Sequence, residues 1–263
     1  MKGEVLLGHK TDYVDTYSPS LLCSLPRRDG HFGVFGEDRW MGYEFSWLNA
    51  KGRPEIAGLR LSVSADSACI VESKSMKLYL GSFAQTRFNT RAEVHQTLMQ
   101  DLGAAFRAPV VLEILTLEQL PQTIAKMPGI CLDELDVSMT SYEPIPDVLQ
   151  ILPSEMSVDE TLYTHLFRSL CPVTGQPDWA SIVIEYTGRQ IERQGLLKYL
   201  VSYRCHAGFH EAVVEEIFHD LQRLCAPQSL SVYGRFLRRG GLEINPYRST
   251  EAGVAPDYRI HRQ

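Results

Sequence analysis

Two stretches of this chain recur about 120 residues apart, and a tandem duplication restricts the possible folds more than any other feature of the sequence. Gly52-Arg53-Pro54-Glu55-Ile56-Ala57 reappears as Gly175-Gln176-Pro177-Asp178-Trp179-Ala180 at an offset of 123. Glu72, Tyr79-Leu80, Ser82 and Phe83 reappear as Glu192, Tyr199-Leu200, Ser202 and Tyr203 at an offset of 120. With 263 residues and 44% apolar composition, each copy is long enough to enclose its own core. The expected division is an N-terminal unit over 1–145 and a C-terminal unit over 155–263. The proline-studded, acidic stretch from Ser141 to Ser154 lies between them as the expected linker.

Within each copy the pattern reads as strands followed by a helix. Leu59-Arg60-Leu61-Ser62-Val63 alternates with period two, and Leu78-Tyr79-Leu80-Gly81-Ser82-Phe83 does so more loosely, so both are expected as strands. Thr90 with Glu93 forms a capping box ahead of Val94, Leu98, Leu102 and Phe106, which repeat every four residues as a helix stripe does. The second copy carries the clearer stripe: Phe209, Val213, Ile217, Leu221 and Leu224, with Glu215, Glu216, His219, Asp220 and Arg223 expected on the wet side. Strand-strand-helix order, repeated, predicts an α+β fold with antiparallel sheets and helices packed on one face, not a parallel α/β sheet.

Charge and cysteine usage narrow the function classes. A net charge of -6 argues against a nucleic-acid-coating protein, whose footprint is a basic excess. The six cysteines show neither CxxC nor paired metal-ligand spacing, which fits reduced thiols and a cytoplasmic protein. No run reaches the length of a membrane span, and Val5-Leu6-Leu7 is too short for a signal-peptide core. Gly30, Gly33 and Gly36 imitate a dinucleotide fingerprint. They lack the strand before and the helix after, so a nicotinamide cofactor would have to bind without a Rossmann domain.

Cys171-Pro172-Val173-Thr174-Gly175-Gln176-Pro177-Asp178 concentrates the chemistry. The prolines stiffen the stretch and bias the residues before them towards extended geometry, and Thr174-Gly175 supplies a bend. A thiol on such a loop is a nucleophile only as thiolate, and Asp178 is a proton-transfer partner within reach of the same loop. On residues alone the plainer reading has the advantage: an inert, buried Cys beside a turn-forming Asp. The alignment of copies puts Leu48 at the place of Cys171, so the first copy has no nucleophile, and a complete site is expected where the two halves face each other.

Three further groups have a functional and a plain reading side by side. Phe209-His210-Glu211 opens the second helix, where Glu211 suits the helix dipole but also projects towards a ligand. Ser73-Lys74-Ser75-Met76-Lys77, expected on a loop or strand, is either a phosphate cradle or a solvated sheet edge. Arg238-Arg239-Gly240-Gly241 follows an apolar strand, Leu230 to Leu237, so its arginines project past the end of that strand.

CPVTGQPD with the following Trp179-Ala180-Ser181-Ile182, Glu72 to Phe83, Phe209 to Glu211, Leu7 to Tyr13 and Arg238 to Gly241 together resemble the two-unit 7-cyano-7-deazaguanine reductases, nitrile reductases of the queuosine pathway. The resemblance spans nearly the whole chain. It implies two tandem tunnelling-fold units, usually a homodimer, acting on a small deazaguanine nitrile with NADPH and on neither nucleic acid nor membrane. It implies Cys171 as nucleophile, Asp178 as proton donor and His210 beside them. Substrate contacts are implied for Val71, Glu72, Ser73, His210 and Glu211, since a carboxylate accepts a guanine-like N–H edge in bidentate fashion. NADPH contacts are implied for Ser73 and Lys74, with Arg239 and Gly240 reaching from the other unit. A cyclohydrolase-like purine enzyme of the same superfamily, for which Cys205-His206 is the one adjacent ligand pair, and a non-catalytic deazapurine-binding protein are the alternatives.

Overall fold

A computed structural model describes residues 13–27, 34–154 and 156–263. Gly30, Gly33 and the opening Leu7 to Lys10-Thr11-Asp12 motif lie outside the described residues. The chain divides into two compact units. Unit 1 comprises the described residues of Met1–Phe32 with Asp38–Thr123 and Arg238–Glu243, and unit 2 the described residues of Gly33–Glu37 with Ile124–Leu237 and Ile244–Gln263.

Unit 1 is built from β1 (Ser24–Pro26), β2 (Phe35–Leu48), β3 (Pro54–Ser64), β4 (Cys69–Val71), α1 (Ser73–Gly81), α2 (Arg91–Phe106) and β5 (Val110–Leu115). Its main strands run in the order β5-β3-β2, and β1 pairs with β4. β3 and β5 are antiparallel, with Leu59 opposite Ile114 and Leu61 opposite Leu112. α2 packs against β5 and buries Val94, Leu98, Leu102 and Phe106, the stripe read from the sequence. Its cap departs from the expected box by one residue: Thr90 Oγ1 accepts from Glu93 N–H, but Glu93 reaches back to the N–H of Asn89.

Unit 2 contains β6 (Ile130–Cys131), β7 (Ser157–Thr164), β8 (Arg168–Leu170), β9 (Pro177–Arg189), α3 (Arg193–Ser202), α4 (His210–Cys225), β10 (Ser229–Phe236) and β11 (Leu242–Ser249). The strand order is β11-β10-β9-β7-β6 with β8 also paired to β9, antiparallel throughout except β6 with β7. α4 lies on β10 and buries Val213, Ile217 and Leu221 in one hydrophobic cluster with Ile182, Ile184, Leu196 and Val232. The architecture is α+β, as the sequence pattern implied. The stretch 141–154 does not hang free as a linker. Ile145 N–H donates to Ser202 Oγ, Leu149 is buried, and Leu152 N–H bonds Gln190 O, all within unit 2.

The segment Leu78 to Phe83, expected as a strand, is the end of helix α1 and the turn after it. The repeat at 120 residues is therefore a repeat of helices. Glu72 caps α1 by accepting from Lys74 and Ser75 N–H, each at 2.8 Å, and Glu192 caps α3 by accepting from Gln194 and Gly195 N–H at 2.9 and 2.6 Å. Ser82 and Ser202 each donate to the carbonyl of the tyrosine three residues earlier, both at 2.6 Å. Tyr79 donates to Asp101 on α2, and Tyr199 to Asp220 on α4, both at 2.7 Å. The recurring letters are those that cap one helix and bolt it to the next.

These bolts predict an alkaline weakness. Burial, reinforced by Asp101, pushes the Tyr17 hydroxyl up to about 12, and burial with the same Asp101 raises Tyr79 further. An unfolded tyrosine titrates near 10, so above that pH the native state holds protons that the unfolded chain has released. The stabilisation is complete below about pH 10 and is lost as pH rises through 12. Tyr79→Phe and Tyr199→Phe should each cost about 1–3 kcal/mol at neutral pH by stripping a partly buried carboxylate of a donor. Each should also flatten the fall in urea midpoint between pH 10 and 12; unchanged midpoints would refute the role.

Candidate active site

β8 and β9 form a hairpin in unit 2, with Ser169 opposite Asp178 and Leu170 opposite Pro177. Cys171 N–H bonds Gln176 O at 2.8 Å and Gly175 N–H bonds Cys171 O at 2.9 Å, which closes the connection into a tight turn. Gly175 takes the turn through φ +66, the left-handed region where a side chain is strained. Pro177 sits at the first position of its strand, where a missing N–H is tolerated. The prolines and glycine thus do what the sequence implied. Alternation along the hairpin returns Cys171, two residues after Ser169, to the side that carries Asp178.

A second element meets the same hairpin. Leu170 N–H bonds His206 O at 2.8 Å and Gly208 N–H bonds Leu170 O at 3.0 Å, so 206–208 lines up beside β8 immediately before α4 begins. His210, in the first turn of α4, places Nε2 3.3 Å from Asp178 Oδ2. Its ring lies flat on Phe236, centroids 3.8 Å apart and planes within 5°. Glu211 is buried beside it at 4% exposure and Asp178 at 4%, while Cys171 keeps 7%. Cys171, Asp178 and His210 thus stand where β8 ends, β9 starts and α4 starts, with Glu211 the next residue of α4. A buried carboxylate in contact with a partly buried imidazole forms a pair through which a proton can pass.

The hydrogen bonds revise the counterpart of Cys171 in unit 1. Asn49 N–H bonds Arg53 O at 2.9 Å and Gly52 N–H bonds Asn49 O at 2.8 Å, the same two bonds as at Cys171 in a loop one residue shorter. The residue in the place of Cys171 is therefore Asn49 and not Leu48, because the shorter loop shifts the register. Asn49 Nδ2 donates to Glu55, the counterpart of Asp178, at 2.8 Å. An amide hydrogen-bonded to a carboxylate holds the first hairpin; it is no nucleophile.

In unit 1, Val71 is buried at the end of β4, and Glu72 is 1% exposed as the α1 cap. Ser73 and Lys74 stand on the first turn of a helix rather than on a loop or strand. Their backbone is not a phosphate cradle, because the N–H groups of Lys74 and Ser75 are already spent on Glu72. One lone pair on each carboxylate oxygen of Glu72 is used this way, and Ser73 Oγ donates weakly to Oε1 at 3.5 Å, which leaves Oε2 as the better placed further acceptor. Glu72 also lies close to Cys23, whose thiol is pushed up first by burial and then by this charge.

The turn 238–241, expected from the second unit, belongs to unit 1. Arg239 is exposed, and Gly240 turns through φ +61; a Cβ there would lie 2.7 Å from Lys77 Nζ. Lys74 and Lys77, three apart on α1, share one helix face, so the Lys77 that touches the turn brings Lys74 towards it. Arg238 lies over the Tyr43 ring at 4.8 Å. These cations around a turn that only glycine fits suit a phosphate-bearing dinucleotide such as NADPH. Lys77 belongs to the stretch that the sequence offered as a phosphate cradle, but the resemblance implied no contact for it.

One other expectation changes. Glu215, expected in water, is 4% exposed and pairs with fully buried Arg248 at 3.2 Å. Cys205 is exposed, His206 Nε2 lies 3.8 Å from Glu216, and among the described residues no three His, Cys, Asp or Glu side chains are grouped as metal ligands. Among those residues, no helix is long and apolar enough to cross a membrane.

Known proteins place this chain among the nitrile reductases. Residues 13–114 match the family described as "Nitrile reductase, 7-cyano-7-deazaguanine-reductase N-term", and residues 177–254 match "QueF-like protein". A protein of Dechloromonas aromatica (strain RCB) named NADPH-dependent 7-cyano-7-deazaguanine reductase is 47% identical over 261 residues, covering 95% of this chain and 92% of that one. A protein of Bordetella pertussis with the same name is 47% identical over 267 residues, covering 98% and 97%. The chain belongs to the NADPH-dependent 7-cyano-7-deazaguanine reductase family. Among solved structures, the apo form of the archaeosine synthase QueF-Like is similar with TM-score 0.32 and 20% identity, over 39% of this chain and 99% of that one.

Proposed function

We propose that this protein reduces the nitrile of 7-cyano-7-deazaguanine to the aminomethyl group at the expense of two NADPH, through a covalent thioimide on Cys171, within the pathway to queuosine in tRNA. The observation that carries the reading is the convergence of Cys171, Asp178 and the Asp178–His210 contact at one end of the β8–β9 hairpin. A nitrile carbon is electrophilic but accepts hydride poorly, and addition of a thiol converts it into a C=N bond. Cys171 Sγ bonds that carbon, and the thiol proton passes to the nitrile nitrogen by way of Asp178, with His210 sharing the charge at Asp178 Oδ2. NADPH, when bound, supplies the two hydrides of the four-electron reduction.

The remaining work falls to the chain's own residues. Asp178 and His210 relay one proton from solvent for each hydride accepted. Between the two additions the C–S bond breaks, returning the Cys171 thiol and leaving the carbon as an imine. Glu211 accepts from the N–H edge of the heterocycle and so fixes which way the nitrile points. The proposal also assigns substrate recognition to Val71, Glu72 and Ser73. It assigns NADPH binding to Ser73, Lys74, Arg239 and Gly240, joined by Lys77.

Arg239→Ala should raise KM for NADPH about tenfold or more with kcat little changed, the pattern of lost ground-state binding. An unaltered KM would remove Arg239 from the cofactor site. The reading as a whole is tested by mixing the protein with 7-cyano-7-deazaguanine and NADPH: nicotinamide absorbance should fall by two equivalents per nitrile consumed. No oxidation, with nitrile still bound, would favour a non-catalytic deazapurine-binding protein.

A further inference from the structure

We propose that Phe236 is the positioning residue for the His210 imidazole, and that Asn245 and Gln263 hold Phe236 in place for that task. The inference rests on the functional reading above and adds a residue that lies outside the convergence of Cys171, Asp178 and His210. His210 has one polar contact, Nε2 to Asp178, while its Nδ1 is buried with no partner among the described residues. A ring held by one hydrogen bond at its edge is free to tilt about that bond. The flat contact with Phe236, at 3.8 Å and 5°, removes the tilt. Asp178 decides which edge faces the acid, and Phe236 decides the plane; both are needed before a proton path has a fixed direction.

Phe236 is itself over-determined. It is fully buried, meets Phe167 edge-on at 6.2 Å, and its N–H donates to Asn245 Oδ1 at 3.1 Å. That same oxygen accepts from Gln263 Nε2 at 2.9 Å, and Gln263 Oε1 accepts from Arg235 Nε at 2.9 Å. Arg235, next to Phe236 in β10, is buried between the rings of Tyr233 and Tyr258, each 4.9 Å from its guanidinium carbon. Its guanidinium donates to Gln263 Oε1, the Tyr233 hydroxyl and the Tyr258 carbonyl, which offsets the cost of burying the charge and locks the side chain. Here it fixes the end of β10 on which the His210 ring rests.

Phe236→Leu keeps most of the volume and removes the aromatic face; Phe236→Tyr keeps the face. Adduct formation at saturating nitrile, without NADPH, should slow at least tenfold in Phe236→Leu and recover to within about threefold of wild type in Phe236→Tyr. Measured in a Cys171→Ala background, the nitrile Kd should move by less than threefold, which separates positioning of the imidazole from damage to the binding site. An unchanged adduct rate, or a Kd that weakens as much as the rate, would overturn the proposal. Should the variants fail to fold, the wild type still decides: the His210 ring C–H resonances must be shifted upfield by the Phe236 ring current, and ordinary shifts refute the stack. Wild-type protein that forms no adduct would sink the functional reading; an adduct insensitive to Phe236→Leu sinks this inference alone.

Discussion

Cys171→Ala is expected to leave the nitrile bound and to abolish both covalent capture and NADPH oxidation. The loss should be of the order of 10⁶, comparable to removing the nucleophile from a serine protease, because no other group in the site can hold the carbon as a C=N bond. Cys171 packs at 7% exposure on a turn closed by two backbone bonds, neither of which uses the thiol, so alanine should leave that turn intact. A melting temperature close to wild type together with an intact nitrile Kd would show that chemistry alone has been removed. Turnover that survived in this variant would refute the assignment of the nucleophile.

Asp178→Asn should be the next most damaging change, lowering adduct formation about 10²- to 10⁴-fold, the range ascribed to a positioned acid–base group. Asparagine fits the space but cannot carry the proton from sulfur to nitrogen, and it leaves His210 facing an amide. His210→Asn should be milder if the imidazole supports Asp178 without itself passing the proton, and equal if it does pass it. The two variants measured at saturating nitrile thus divide the roles. An Asp178→Asn protein with a wild-type adduct rate would show that the 3.3 Å contact with His210 is structural only.

How much of this was legible in the letters depends on the range of the interaction. The stripes of α2 and α4, the alternation of β3 and the turn at 171–177 follow from local rules of period and backbone freedom, and they stand in the structure. Leu78 to Phe83 misled because loose alternation in a short apolar run does not separate strand from helix. The signal that would have decided it was Glu72, but Glu is not among the residues that usually cap a helix, so its bonds to Lys74 and Ser75 were invisible in the sequence. Glu215 looked solvated because its partner, Arg248, is 33 residues away on β11. The counterpart of Cys171 slipped by one residue because an alignment of letters cannot see that Asn49 and Cys171 make the same pair of backbone bonds. The Phe236 ring under His210 had no sequence signal, since packing of a strand end against a helix start has no period.

The central claim is that Cys171 captures the nitrile before any hydride arrives. Intact-mass measurement of the protein mixed with 7-cyano-7-deazaguanine alone, followed by peptide mapping, tests it most directly. The account predicts a gain equal to the whole mass of the nitrile, since the thiol adds without a leaving group, confined to the peptide carrying Cys171. Unmodified protein that nevertheless oxidises NADPH when both substrates are supplied would contradict it.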